Sequence, residues 1–205
     1  MKNILAFGDS NTWGLIPGSG NRYPWGVRWT SVVQNSLPDT RVIEEGLCGR
    51  TTIFEDGLRP LRKAVDALPM ILESVSPIDM AVIMLGTNDC KAVFNASAYT
   101  ITKGLETCLS EISRFIPAEK VLIISPISLG KDVWKENKDP EFNKASIKTS
   151  IRLKEYYRNL AKERGCQFLA ASDYATASEV DDEHLDEDGH RRLADAVVNI
   201  ITASL

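Results

Sequence analysis

Asp79-Met80-Ala81-Val82-Ile83-Met84-Leu85-Gly86-Thr87-Asn88-Asp89 is the stretch that decides the fold. Its first part is a nearly continuous apolar run, the pattern of a parallel strand covered on both faces. Glycine and polar residues follow at once, so the run ends in a loop with chemistry-bearing side chains. A second run of the same kind, Val121-Leu122-Ile123-Ile124, lies about forty residues on. Three shorter apolar runs complete the set, giving expected strands at Asn3–Phe7, Arg41–Glu45, Asp79–Leu85, Lys120–Ser125 and Cys166–Ala171.

Helical segments are expected between them, at Gly26–Ser36, Leu61–Ser74, Ala98–Phe115 and Glu141–Arg164, and then at Glu187–Ala203. The last carries Leu193, Ala194, Val197, Ile200 and Ile201 on one face, the spacing of an amphipathic helix, and Asp186 suits its N-cap. Strands alternating with helices imply right-handed βαβ units. The expected fold class is α/β: a three-layer α/β/α sandwich around a parallel sheet of about five strands, as one domain over residues 1–205. Two long loops stand out, Gly14–Pro24 and Gly130–Pro140, the second carrying Trp134.

Composition narrows the function classes. Of 205 residues 43% are hydrophobic and 25% charged, with a formal net charge of −4. Scattered Lys and Arg in an acidic chain give neither a nucleic-acid footprint nor a polybasic membrane patch. The opening apolar run Ile4-Leu5-Ala6-Phe7 stops at Gly8-Asp9, short of a signal segment, and no stretch reaches membrane-span length. The four cysteines, Cys48, Cys90, Cys108 and Cys166, show no metal-type spacing and read as free thiols of a cytoplasmic protein. The expected partner is therefore a small molecule.

In open α/β sheets the ligand crevice lies beyond the carboxyl ends of the strands. After strand one comes Gly8-Asp9-Ser10-Asn11-Thr12; after strand two, Gly46-Leu47-Cys48-Gly49-Arg50-Thr51-Thr52; after strand three, Gly86-Thr87-Asn88-Asp89; and after strand five, Asp181-Asp182-Glu183-His184. These are the parts acyl transfer needs. A serine hydroxyl requires a base, and histidine is the usual one near neutral pH. Of the two histidines, His184 follows Asp181 by three residues, so a carboxylate can fix its tautomer. His190 falls on the apolar face of the last helix, where a structural role is the usual one. An oxyanion needs fixed donors, and the Ser10 N–H, the Gly49 N–H and the Asn88 amide are available.

Each element alone has an ordinary reading: a helix cap at Asp9-Ser10-Asn11, a turn at Gly86–Asp89, a surface pair in an acidic stretch at Asp181–His184. Their joint occurrence at strand ends favours catalysis over a binding module of the same fold. Trp13, Tyr23, Trp25 and Trp29 form either an aromatic wall for the substrate or ordinary packing. Arg50 either orients an anionic substrate or makes a structural ion pair. Trp13, Arg50 and Trp134 are kept as candidate substrate-binding residues. Asp9 is expected to brace the nucleophile loop through backbone hydrogen bonds.

These blocks resemble the SGNH, or GDSL-type, hydrolase family over nearly the whole chain. The family's four invariant residues would fall on Ser10, Gly49, Asn88 and His184. Asn11 stands where Leu is common in the first block. The runs Ser10–Gly14 and Glu44–Thr52 look most like bacterial arylesterases and acyltransferases. The resemblance implies a flavodoxin-like sandwich and a serine esterase working through an acyl-enzyme with no metal or cofactor. Its catalytic residues would be Ser10, Asp181 and His184, with Ser10, Gly49 and Asn88 as the oxyanion hole. Sugar deacetylation, acyl transfer to alcohols and assembly into a homo-oligomer are open within that family.

Overall fold

The computed structural model describes residues 1–204; Leu205, the last position of the expected domain, lies outside the described residues. Five parallel strands, β1 (Lys2–Gly8), β2 (Thr40–Gly46), β3 (Met80–Met84), β4 (Val121–Ser125) and β5 (Gln167–Ala170), form one sheet in the order β2-β1-β3-β4-β5. The chain winds outward from β1 in both directions, so the carboxyl ends of β1 and β3 meet at the point where the order reverses. Register carries this through: Gly8 pairs with Gly46 on one side and Met84 on the other.

Strand periodicity divides the apolar residues between two cores. Leu5, Phe7, Ala81, Ile83, Val121 and Ile123 face a cluster built with α3 (Ala64–Val75), α4 (Ala98–Ile112) and α5 (Lys144–Arg164). Their neighbours Ile4, Ala6, Met80, Val82, Leu122 and Ile124 face α2 (Trp29–Ser36) and α6 (Glu187–Ser204). A strand buried on both faces has no polar alternation, which is why β3 and β4 read as unbroken apolar runs.

Helix boundaries shift from expectation for local reasons. The segment before α2 turns at Gly26, with φ of +93°, and the helix starts at Trp29. Leu61 has φ of +64° and is exposed, so α3 starts at Ala64. At α5, Asn143 accepts the N–H groups of Ala145 and Ser146, while the Ser146 hydroxyl accepts that of Asn143. This reciprocal cap sets the first turn at Lys144 and leaves residues 141–143 outside the helix. Asp186 caps α6 as expected, its Oδ1 accepting the Gly189 N–H at 2.7 Å. Among the described residues no helix is long and apolar enough to cross a membrane.

Candidate active site

At the end of β1 the chain turns through a single helical turn, α1 (Ser10–Trp13). Asp9 caps it, its Oδ1 accepting the Asn11 N–H at 3.0 Å. As the first residue of that turn, Ser10 has a backbone N–H with no intrahelical acceptor. The turn lies directly on the end of β2, because a Cβ on Gly46 would come within 2.2 Å of the Trp13 backbone nitrogen. Glycine at that position is what lets Ser10 stand over the sheet edge.

Ser10, His184 and Asp181 form a continuous hydrogen-bonded chain. The Ser10 hydroxyl donates to His184 Nε2 at 2.9 Å, and His184 Nδ1 donates to Asp181 Oδ2 at 2.8 Å. Asp181 is held by backbone as well: Oδ1 accepts the N–H groups of Glu183 and His184 at 3.1 and 3.0 Å, and Oδ2 accepts that of Gly18 at 3.0 Å. One of those donors comes from the Gly14–Pro24 loop, which thereby closes over the acid.

The charges of the site follow from this packing. Burial opposes ionisation of Asp181, but the hydrogen bond and charge of His184 outweigh it and bring the carboxyl down to about 2. Burial also opposes a charged imidazole at His184. The charge of Glu183, then the hydrogen bond and charge of Asp181, prevail and raise it to about 9. Glu183, whose Oε1 lies 3.7 Å from His184 Nε2, is itself pushed up to about 7 by burial.

Gly49 sits at φ of +80°, a left-handed conformation that favours glycine, and with Ser10 and Asn88 it lines a cavity of about 600 Å³. The Asn88 amide donates one N–H to the Arg50 carbonyl at 3.2 Å, which fixes the Gly49–Arg50 loop and leaves a second N–H free to point elsewhere. The three residues expected to form the oxyanion hole therefore line one cavity.

The expected substrate contacts divide. Trp13 lines the cavity. Arg50 and Trp134 do not. Arg50 is buried, donating Nη1 to the carbonyls of Gly8 and Glu45 with its guanidinium 4.1 Å from the centre of the Phe7 ring. It ties the ends of β1 and β2 together, and burial lowers it to about 10. Trp134 donates to the Lys131 carbonyl and packs under Lys144. Its loop instead presents Asn137, Lys138 and Asp139 to the cavity. The other aromatics scatter: Tyr23 and Trp29 are buried, and Trp25 is exposed.

His190 has the structural place expected of it. It is fully buried, accepts the Trp29 backbone N–H on Nδ1 at 3.3 Å, and meets Tyr23 edge-on. Burial lowers it to about 4, so it is neutral at ordinary pH. Two participants were not legible in the sequence. Asn11 bonds the backbone on both sides of His184, and Asp182 pins the loop that carries Lys138. An amide beside the nucleophile and a second acid beside Asp181 were the only signals.

Known proteins share this fold over the whole chain. A carbohydrate acetylesterase from Sinorhizobium meliloti, Est24, is 32% identical with a TM-score of 0.91, each chain covering 100% of the other. The aryl esterase of M. smegmatis is 32% identical with a TM-score of 0.90, again over 100% of both chains. A lipase/acylhydrolase from Enterococcus faecalis shares the fold at 21% identity and a TM-score of 0.69, over 99% of this chain and 96% of its own. A search of curated sequences finds no match. The pattern of one family covers residues 6–192, from the strand before the nucleophile into the helix after the histidine. The chain belongs to the GDSL-like lipase/acylhydrolase family of serine ester hydrolases.

Proposed function

We propose that this chain hydrolyses small carboxylic esters through an acyl-enzyme on Ser10. The observation that carries the reading is the Ser10–His184–Asp181 chain opening onto the cavity beside Gly49 and Asn88. Ser10 Oγ attacks the carbonyl while His184 Nε2 takes its proton, and Asp181 stabilises the resulting imidazolium. The N–H groups of Ser10 and Gly49 and the Asn88 amide hold the negative oxygen. Collapse releases the alcohol, which takes the proton from Nε2. Water then enters by the same route and frees the acid.

The lining favours esters of polar alcohols, and with them the second reading, a carbohydrate O-deacetylase. Arg59, Asn137, Lys138, Asp139 and Glu183 supply polar groups to a cavity whose apolar walls are Trp13, Leu15 and Val180. Four free thiols support a cytoplasmic setting for this chemistry.

The test is turnover of p-nitrophenyl acetate together with covalent labelling by a fluorophosphonate. Ser10→Ala should abolish labelling and lower kcat by about 10⁴-fold or more. Retained labelling of that variant would overturn the assignment. His184→Ala should be nearly as damaging to turnover, whereas His190→Ala should act through stability. Product analysis with a competing alcohol separates hydrolysis from acyl transfer.

A further inference from the structure

We propose that Glu183 selects the alcohol half of the substrate: its carboxylate accepts a hydrogen bond from a hydroxyl adjacent to the ester oxygen being released. The enzyme would then prefer monoesters of diols and polyols to esters of simple alcohols. The inference rests on the esterase reading above, with Ser10 as nucleophile.

Glu183 is 5% exposed, and its side chain lines the cavity with Ser10 and His184. Its backbone is fully engaged, the N–H on Asp181 Oδ1 and the carbonyl on the Asn11 amide, so the direction of its Cα–Cβ bond is fixed. The carboxylate itself has no hydrogen-bond donor among the described residues. Its nearest polar neighbour is His184 Nε2 at 3.7 Å, beyond hydrogen-bond length, and that nitrogen already receives the Ser10 hydroxyl. The acids it feels, Asp139, Asp181 and Asp9, are of the same sign. Of the basic side chains lining the cavity, Lys138 is engaged by Asp182 and by the Glu179 carbonyl, and Arg59 makes no ion pair with Glu183. The charge on His184 offsets burial of this carboxyl only in part, with its hydrogen-bonding capacity still unused, and packing alone would be served by an apolar side chain. The missing donor therefore comes from whatever fills the cavity.

The reaction places that donor. Nε2 must deliver its proton to the departing oxygen, so that oxygen comes within hydrogen-bond distance of Nε2. A carboxylate oxygen 3.7 Å from the same nitrogen is then close to the departing group. A hydroxyl on the neighbouring carbon lies about one hydrogen-bond length from the leaving oxygen and fits between the two. Without it, the carboxylate faces a developing alkoxide and repels it; with it, a proton lies between the negative groups. A substrate ammonium would meet the same carboxylate but would repel the imidazolium that forms beside it, so a neutral hydroxyl is the better occupant.

The experiment compares two acetates of equal size, 2-hydroxyethyl acetate and propyl acetate, in wild type, Glu183→Leu and Glu183→Gln. Each ratio of kcat/KM is normalised to the hydroxide-catalysed rates. The ratio cancels both the concentration of active enzyme and any change in the basicity of His184, because both esters meet the same Ser10 and His184. Wild type should favour the hydroxyethyl ester by about tenfold or more, the ordinary worth of a hydrogen bond to a charged group. Glu183→Leu should bring the ratio to within about twofold of one, and Glu183→Gln should keep part of the preference. A wild-type ratio near one, or a ratio that survives in Glu183→Leu, overturns the proposal. If the leucine variant does not fold, the glutamine variant decides: an unchanged ratio there overturns it and a reduced one supports it. Failure of the esterase reading looks different, since wild type would then turn over neither ester and take up no fluorophosphonate.

Discussion

Asn11 holds His184 from both sides: its Nδ2 donates to the Glu183 carbonyl at 3.4 Å, and its Oδ1 accepts the Leu185 N–H at 2.9 Å. The residue next to the nucleophile thus fixes the loop that carries the base, across 173 positions of sequence. Asn11 is 2% exposed, so water cannot replace these bonds cheaply. Asn11→Ala leaves a carbonyl and an N–H unpaired, and should cost about 1–3 kcal/mol of stability in denaturant unfolding. Turnover should suffer through misplacement of the base, with kcat lowered about tenfold or more and KM little changed. Kinetics normalised to fluorophosphonate-labelled enzyme check this, and an unaltered kcat would reject a positioning role.

Much of the site was legible because its residues stand at strand ends, and strand ends were easy to find. β3 and β4 announce themselves by apolar runs, so Asn88 fell into place as soon as Met84 ended a strand. Ser10, Gly49, Asp181 and His184 followed from similar boundaries. Arg50 and Trp134 did not, because sequence proximity says nothing about which way a side chain turns. Arg50 turns back under β1 and β2, whose ends supply two carbonyls and an aromatic face. The helix starts at α3 and α5 were set by a positive φ at Leu61 and by the Asn143 cap, where apolar spacing runs on past the true boundary.

The acid limb of the rate profile should lie on the alkaline side for a histidine. His184 is raised to about 9, and it serves as a base only when neutral. As pH rises from the ordinary imidazole value toward 9 the neutral fraction grows, so kcat/KM should climb through that interval. The groups facing His184 are Asp181, Glu183 and Asp9; the charge of Glu183 is the largest single cause favouring the charged form, and Asp181 acts through both a hydrogen bond and its charge. Glu183→Gln removes one negative charge and should move the limb toward lower pH, while Asp181 keeps the ring oriented. Profiles of kcat/KM on p-nitrophenyl acetate measure both limbs, and coincident limbs would show that Glu183 does not tune the base.

Asp182 governs the far wall of the cavity. Its carbonyl accepts the Gly130 N–H at 2.7 Å, its Oδ2 accepts the Asp132 N–H at 2.7 Å, and the same oxygen pairs with Lys138 Nζ at 3.0 Å. Gly130 admits this contact because any Cβ there would fall within 2.3 Å of the Asp182 carboxyl carbon. The anchored loop brings residues 137–139 to the cavity. Asp182→Ala removes the acceptor and places alanine at φ of +59°, so it should loosen the loop and raise KM several-fold. Asp182→Asn tolerates the backbone and keeps the acceptor for Asp132, losing only the charge on Lys138, and should be the milder change. Amide exchange at Gly130 and Asp132 reports the anchor directly: faster in the alanine variant, near wild type in the asparagine one. Equal exchange in all three proteins would mean that the loop is held by something other than Asp182.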